Sequence, residues 1–414
     1  MLNYFQVSVV LIIIWGAAYY TLRKKIFTSK GYIMLLFVMA IAGIVLPLDE
    51  MLDLGCEPSF SFLYTILFAF LLLSAIIPWI DFEKYLKTIK RFNINPSCLP
   101  TLRIAIITMT LLSIFAILYT LPYAIIAYKM GAADIRWVIK DQSLLPNSPL
   151  TTVAVGVGLI SPIYIYLFYL SLLTPELHKY SKYLFLGSLT YLVTSAAFQA
   201  RDGFVFIPLT YFFLYQVFKK SLPELSIEYL KRTFKLVLPI LLVGILVISF
   251  DRFFEKGSSD AYKSLIGGTW GYFYQQPYVF DVNLQHMQHF QGLGHRFELI
   301  GVLFNLPYST DYAPNYQFEW MFGTMYSSFY SASGWGSLLT ASVFFSLSWL
   351  IVLRRLCGRH NHMGALLVFS LYIYFLISGL FYFRFSAMNI TIVYLILIVI
   401  SFSLNNYILV EYNQ

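Results

Sequence analysis

Long apolar windows separated by short polar connections run through almost the whole chain. A helix needs about 20 apolar residues to cross the hydrocarbon core of a bilayer, and windows of this kind occur about eleven times. The predicted spans are Tyr4–Leu22, Gly31–Pro47, Phe60–Ile80, Thr101–Tyr123, Leu150–Leu173, Leu184–Ala200, Phe204–Phe218, Phe234–Phe250, Gly336–Leu353, Gly364–Phe383 and Ser386–Asn405. The pattern therefore predicts an all-α polytopic membrane protein with about eleven transmembrane helices.

One stretch interrupts this pattern, between Asp251 and Ser333, where the chain is polar, aromatic and rich in glycine. Loops of such length tend to be functional or disordered, and the aromatic content argues against disorder. We predict a long, partly helical, outward-facing loop that handles the substrate. The chain then divides into residues 1–250 with helices one to eight, the loop 251–333, and residues 334–414 with the last three helices.

Composition agrees with a membrane protein, because 59% of the residues are hydrophobic and only 12% are charged, against about 25% charged in soluble domains. Of the 28 Lys and Arg residues, 19 fall in alternate connections, which the positive-inside rule assigns to the cytoplasm. These basic residues lie at 23–30, 84–103, 179–182, 219–235 and 354–359. The N-terminus is then predicted outside and the C-terminus inside. The net charge of +8 indicates a cytoplasmic membrane face rather than nucleic-acid binding.

Two tight hairpins at the predicted outer face carry arginines. Arg201 lies in FQARDGF and Arg384 in FYFRF, each with almost no residues left for a loop. A guanidinium at the membrane edge is costly unless it is paired or faces a cavity or an anion. It could bind a phosphate group, or it could snorkel to the lipid headgroups, in the case of Arg201 beside Asp202. Arg252, at the outer end of another span, could equally form a local ion pair with Asp251 or Glu255.

Within the long loop, the segment GLGHRFE gathers His295, Arg296 and Glu298 after two glycines. The imidazole suits a general base near neutral pH, and the guanidinium could bind an anionic leaving group. On spacing alone, a helix start with solvated polar residues is the better explanation of the segment. Trp270 and Tyr274 could pack on sugar rings or lie at the membrane interface. His286 and His289 lack a further carboxylate ligand, so we predict no metal site and no cofactor.

Four local patterns then point to a known family. They are SAAFQARDGF, GGTWGYFYQQPYVFD, the tyrosine-rich FGTMYSSFYSASGWGSLLTASVFF entering a span, and FYFRFSAMNI. With the span number and the late outward loop, they resemble the bacterial oligosaccharide repeat-unit polymerases, the Wzy-type O-antigen polymerases. This chain lacks the arginine-rich repeat between two large outer loops that some members have.

The resemblance implies a glycosyltransferase of the bacterial inner membrane that acts at the periplasmic face. It would polymerise oligosaccharide repeat units carried on undecaprenyl pyrophosphate, using one such unit as donor and another as acceptor, with a chain-length regulator protein as a further partner. Cations would stabilise the pyrophosphate leaving group, and a base would activate the acceptor hydroxyl. The candidate cations are Arg201, Arg252, Arg296 and Arg384, and the candidate bases are His295, Glu298 and Asp202.

Two other functions remain open from the residues. An O-antigen ligase shares the architecture but transfers finished glycan to the lipid A core. A transporter or flippase of the same lipid-linked units is expected to have paired helical repeats and cations inside a central cavity, and the sequence shows no such repeat.

Overall fold

The computed structural model describes residues 2–22, 28–45, 59–130, 144–198, 200–253, 271, 273–287, 290–306, 324–384 and 387–412. The helices of the first half are α1 (Tyr4–Leu22), α2 (Ser29–Val45), α3 (Phe62–Ala75), α4 (Ile77–Thr88), α5 (Leu99–Met130), α6 (Pro149–Leu159), α7 (Ser161–Ser171), α8 (Pro175–His178), α9 (Ser181–Ser188) and α10 (Thr190–Ala197). Those that follow are α11 (Asp202–Phe218), α12 (Glu224–Phe253), α13 (Gln276–His286), α14 (Leu293–Arg296), α15 (Glu298–Leu303), α16 (Thr324–Ser333), α17 (Trp335–Gly358), α18 (His362–Gly379) and α19 (Met388–Ser401).

Each predicted span contains helix, and α1 matches its predicted window from end to end. Within the described residues, six helices are long and apolar enough to cross a membrane: Tyr4–Leu22, Phe62–Thr88, Pro96–Met130, Glu224–Phe250, Trp335–Gly358 and His362–Gly379. The pair α6 and α7, bent by 50°, adds a seventh if it is one span. A helical multi-pass membrane protein is therefore supported, whereas eleven spans remain a prediction.

The clearest departure lies in the window predicted at residues 184–200, which forms two short helices, α9 and α10, that meet at Leu189. At this junction the Ser188 hydroxyl donates to the carbonyl of Phe185 at 2.6 Å, and the Thr190 hydroxyl donates to that of Gly187 at 2.7 Å. Hydroxyl side chains of this kind compete with helical hydrogen bonding. A hydropathy window registers apolar composition and does not register such a break.

A small antiparallel sheet was not predicted. Strand β1 (Ile89–Ile94) pairs with β2 (Ile408–Tyr412), so that Phe92 is opposite Val410 and Ile94 is opposite Ile408. The backbone N–H of Phe92 also donates to the Ser221 hydroxyl at 2.9 Å. Strand pairing over more than 300 residues leaves no local signal beyond two short runs of partly alternating residues.

By its internal contacts the chain forms two compact units. The first comprises Met1–Tyr85, Ser259–Arg355 and Phe375–Val399, and the second comprises Leu86–Ser258, Leu356–Tyr374 and Ile400–Gln414. The described parts of the predicted long loop belong to the first unit from residue 271 onward.

In the first unit, the loop helix α13 is an internal element, with nine of its eleven residues buried. The Tyr278 hydroxyl lies 2.7 Å from the Ser8 hydroxyl and donates to the carbonyl of Tyr4 at 3.1 Å. Its ring also contacts the ring of Tyr4, with centroids 4.8 Å apart. The first turns of α1 therefore hold α13 by packing and hydrogen bonds. This helix of the long loop is a packed portion of the unit rather than a solvated connection.

Candidate functional site

In the first unit, two predicted site segments that are far apart in sequence pack against each other. The ring of Phe297, inside the GLGHRFE segment, lies 5.5 Å from the ring of Phe383 in the FYFRF hairpin, measured between centroids. Phe329 of α16 contacts the same Phe383 ring at 4.9 Å. The three rings form an aromatic cluster that packs the segment of residues 295–298 against the hairpin that holds Arg384. We call this region the hairpin site, defined by His295, Arg296, Glu298, Tyr382 and Arg384.

Arg384 is buried by protein atoms, with 5% of its surface exposed. Its Nη2 donates to the hydroxyl of Tyr382 at 2.6 Å, and its guanidinium lies 5.2 Å from the centre of that ring. A snorkelling anchor would extend its charged end towards headgroups and water. The guanidinium is instead held against the ring and hydroxyl of Tyr382.

Arg296 and Glu298 are both half-buried and have separate partners. The Nε of Arg296 donates to the buried hydroxyl of Ser331 at 2.7 Å. Glu298 Oε2 accepts from the backbone N–H of Met388, the first residue of α19, at 2.8 Å. Glu298 therefore caps the start of a helix, where a carboxylate is electrostatically favoured. This geometry favours an anchoring role for Glu298 over the role of general base.

His295 occupies α14 and is half-buried. The backbone conformation or close packing near His295 requires glycine at the neighbouring positions. Gly292 has a positive φ of 87°, which L side chains rarely adopt. A Cβ at Gly301 would lie 2.7 Å from the carbonyl oxygen of Gly294, so α14 and α15 meet through these two glycines. These glycines fix the backbone and the helix contact around His295, which stays a predicted base.

The remaining loop candidates are less accessible or lie elsewhere. Tyr274 has 2% of its surface exposed and, with Ser8 and Trp15, lines an internal cavity of about 20 Å³. Burial raises the pKa of its hydroxyl to about 12. Stacking of a sugar on this ring would require the surrounding residues to move. Trp270 lies outside the described residues, and Arg252 lies in the last turn of α12 with its side chain outside the described part.

The second unit contains Arg201, the arginine of the other predicted hairpin. Arg201 directly precedes α11 and is 5% exposed, and its Nη1 donates to the hydroxyl of Ser249 on α12 at 3.2 Å. Asp202 begins α11 and accepts hydrogen bonds from the hydroxyl of Tyr191, from the hydroxyl of Ser195 at 3.2 Å, and from the backbone N–H of Gly203 at 2.9 Å. These bonds occupy the oxygens of Asp202, so its geometry favours fixing the hairpin rather than abstracting a proton.

One buried acid was not singled out from the sequence. Asp281 on α13 is 1% exposed and accepts a 2.9 Å hydrogen bond from the backbone N–H of Ser61, just before α3. It also accepts from the side chain of Gln285, which in turn donates to the carbonyl of Ser59 at 2.9 Å. Burial raises the pKa of Asp281 to about 6. The signal in the sequence is an acid inside the apolar YVFDV run.

Across the described ranges, no group of three His, Cys, Asp or Glu side chains is arranged to hold a metal ion. The hairpin site offers two guanidinium groups, the hydroxyl of Tyr382, an imidazole and the carboxylate of Glu298 as its chemistry. Comparison with family models, with curated proteins and with solved structures finds no match to this chain.

Proposed function

We propose that this chain is a glycosyltransferase that polymerises undecaprenyl-pyrophosphate-linked oligosaccharide repeat units at the periplasmic face of the bacterial inner membrane. One observation carries the proposal. The buried guanidinium of Arg384 lies in the same aromatic-walled region as the segment that bears His295 and Arg296. A pyrophosphate ester needs cations of this kind, and an acceptor sugar needs a nearby base.

Burying a charged side chain in a protein carries a free-energy cost. Removing a guanidinium from water costs several kcal/mol unless strong partners replace its hydration. The hydroxyl and ring of Tyr382 are among the groups that replace hydration around Arg384. A phosphate oxygen would add a strong partner, because charge-assisted hydrogen bonds to a guanidinium are among the strongest in proteins. An anion bound in this site would therefore be stabilised by the guanidinium.

In the proposed reaction, the acceptor hydroxyl oxygen attacks the anomeric carbon of the donor sugar. The new oxygen–carbon bond forms as the bond from that carbon to the pyrophosphate oxygen breaks, and the leaving group departs with the electron pair. His295 accepts the proton of the acceptor hydroxyl. Arg384 and Arg296 stabilise the negative charge that develops on the pyrophosphate. Atoms and charge balance without a nucleotide sugar or a metal.

Arg201 contributes to the proposal independently. It is buried to the same extent as Arg384 and donates to the Ser249 hydroxyl, and a guanidinium can bind phosphate through several donors. We therefore propose that Arg201 binds a phosphate group or the glycan within the second unit.

The test is deletion of the gene in the bacterium that encodes it, followed by gel analysis of the surface glycan. A polymerase predicts loss of the length ladder while a single repeat unit stays attached. Restoration of the ladder by the wild-type gene, and not by the Arg384→Ala variant at equal membrane abundance, would support the hairpin site.

Two other results would reject the proposal. Loss of all attached glycan, with lipid-linked polymer accumulating, is the result expected for a ligase. Accumulation of lipid-linked single units that face the cytoplasm is the result expected for a flippase.

A further inference from the structure

The second unit contains a cleft between α11 and α12 that no predicted site residue lines. Its volume is about 440 Å³, within the range of about 300–1,000 Å³ that is typical of ligand pockets. The walls are almost entirely apolar and aromatic, and they include Phe185, Ile207, Phe212, Leu230, Phe234 and Leu241. The polar groups on the lining are Lys231 and the hydroxyls of Tyr211 and Tyr215.

The two helices run antiparallel, since Phe204 contacts Gly244 and the ring of Tyr211 contacts that of Phe234. They pack closely at Gly244, where an added Cβ would lie 2.6 Å from the ring of Phe204. Pro208 of α11 lines the cleft, and proline removes a backbone hydrogen bond and tends to bend a helix. The cleft lies between this close contact and the connection that joins the helices at residues 219–223.

The cleft wall beyond Lys231 has about the length of one leaflet of a bilayer. Lys231 lies in the second turn of α12, and Leu241 lies ten residues further along the same helix. At 1.5 Å per residue, these two residues are separated by about 15 Å along the helix axis. This is about half of the roughly 30 Å hydrocarbon core. Ile227, one turn before Lys231, continues the lining towards the connection at residues 219–223, so an acyl chain of one leaflet fits between Lys231 and Leu241.

The cleft is also positioned to face lipid. Helix α12 has only 11% of its apolar window buried, the smallest share among the candidate spans. Leu238 on the cleft wall is itself 48% exposed. An occupant can therefore enter from the side of the helix pair without passing through a packed core.

The end of the cleft nearer the connection at residues 219–223 is basic. Lys231 lines it, and Lys219 and Lys220 follow the last turn of α11. The ammonium of Lys219 donates to the side chain of Gln216 at 2.8 Å, and burial together with the charge of Lys220 lowers its pKa. An anion bound here would offset the electrostatic repulsion between Lys219 and Lys220. Basic pockets between membrane helices on the cytoplasmic side bind anionic lipid headgroups.

We propose that this cleft is a binding site for an anionic phospholipid, with one acyl chain along the apolar wall from Leu230 to Leu241 and the phosphate at Lys231. The phosphate end of the site lies towards the connection at residues 219–223, which the charge pattern predicts to be cytoplasmic. Its occupant is therefore a structural lipid of the inner leaflet. A polyprenyl carrier, whose chain is far longer than one leaflet, fits this cleft poorly.

The test uses the full chain purified in detergent and mixed with equal amounts of phosphatidylglycerol and phosphatidylethanolamine that have identical acyl chains. Native mass spectrometry counts the lipids retained. We expect phosphatidylglycerol to be preferred and Lys231→Gln to weaken its retention about fivefold, as expected for the loss of one basic residue next to an anionic headgroup. Lys235→Gln is the matched control, because Lys235 lies one turn away and does not line the cleft.

A second variant, Leu230→Trp, fills the apolar part and is expected to reduce retention of both lipids, while Lys231→Gln affects only the anionic one. Equal retention of the two lipids by the wild-type chain would overturn the proposal. Equal losses in Lys231→Gln and Lys235→Gln would also overturn it, by indicating a diffuse surface charge effect. Displacement of phosphatidylglycerol by an equal amount of undecaprenyl phosphate would instead assign the cleft to the carrier lipid.

Discussion

The carboxylate of Glu298 accepts a 2.8 Å hydrogen bond from the backbone N–H of Met388, 90 residues later in the chain. Both residues begin helices, Glu298 at α15 and Met388 at α19. The bond therefore joins the GLGHRFE segment to the chain just beyond the FYFRF hairpin. It holds together the two segments that form the hairpin site, and it uses the carboxylate that the sequence offered as a catalytic base.

Substitution of Glu298 by Gln separates these two roles. A Gln side chain retains an oxygen that can accept from Met388, so we expect Glu298→Gln to keep most of the glycan ladder. Glu298→Ala removes the acceptor and is expected to destabilise the fold by about 1 kcal/mol, as for loss of a helix cap. The measurements are the glycan ladder in the complemented deletion strain and the unfolding temperature in detergent. Complete loss of polymer in Glu298→Gln at normal stability would restore Glu298 as a candidate base.

We expect polymer formation to require the guanidinium group at position 384 and not only a positive charge. Arg384→Lys loses the planar fork that reaches Tyr382 and a phosphate together, so we expect at least about a tenfold fall in polymer formation, and a larger fall for Arg384→Ala. Arg354→Ala is the matched control. Arg354 already pairs with Asp81 through two 2.8 Å hydrogen bonds in a largely exposed position, so its loss should leave the ladder intact. Equal ladders from Arg384→Ala and Arg354→Ala would exclude Arg384 from the site.

Arg201→Ala is expected to abolish polymer while leaving membrane insertion intact. Its hydrogen bond to Ser249 joins the start of α11 to α12, so a purely structural role must be distinguished. Ser249→Ala removes that bond and keeps the guanidinium, and we expect it to retain polymer. Arg232→Gln, at an exposed arginine that lies 3.8 Å from Glu228, is the control for loss of charge. If Ser249→Ala and Arg201→Ala lose polymer to the same degree, Arg201 acts through the helix contact alone.

The raised pKa of the buried Asp281 predicts that the stability of the fold depends on pH. Its pKa is raised from 3.8 to about 6 by burial, so between these values the folded chain keeps a proton that the unfolded chain has lost. The free energy of unfolding therefore falls as the pH rises through this window. Asp281→Asn cannot ionise and can still accept from Ser61. We expect the variant to match the wild-type chain near pH 4 and to be more stable at pH 7, by at most about 3 kcal/mol.

Thermal unfolding of both proteins in detergent between pH 4 and pH 7 measures this difference, and hydrogen exchange in α13 locates it. A wild-type chain whose stability rises from pH 4 to pH 6 relative to Asp281→Asn would contradict the assignment. That result would mean that the hydrogen bonds from Ser61 and Gln285 outweigh the cost of burial.

The candidate site was partly predictable from the sequence. The cost of a guanidinium at the membrane edge was enough to single out Arg201 and Arg384, and both are buried. Their partners were not predictable, because Ser249 lies 48 residues from Arg201 and hydroxyl residues are common in membrane helices. Asp281 was not singled out from the sequence, because the residues around it gave no signal of a polar site. Its neighbours suggest an apolar helix, and only the approach of Ser61 shows where its carboxylate is held.

The sequence by itself determined the class of this protein, a helical chain with several membrane spans. Hydropathy is a sum over neighbouring residues, and in lipid a long apolar run must satisfy its own backbone hydrogen bonds as helix. Helix α1 accordingly begins and ends where the apolar pattern does. The tertiary structure alone decided that α13 of the long loop is buried, that β1 pairs with β2, and that Glu298 caps α19. Each of these depends on contacts between residues distant in the chain, and such contacts leave no periodic trace in the residues that make them.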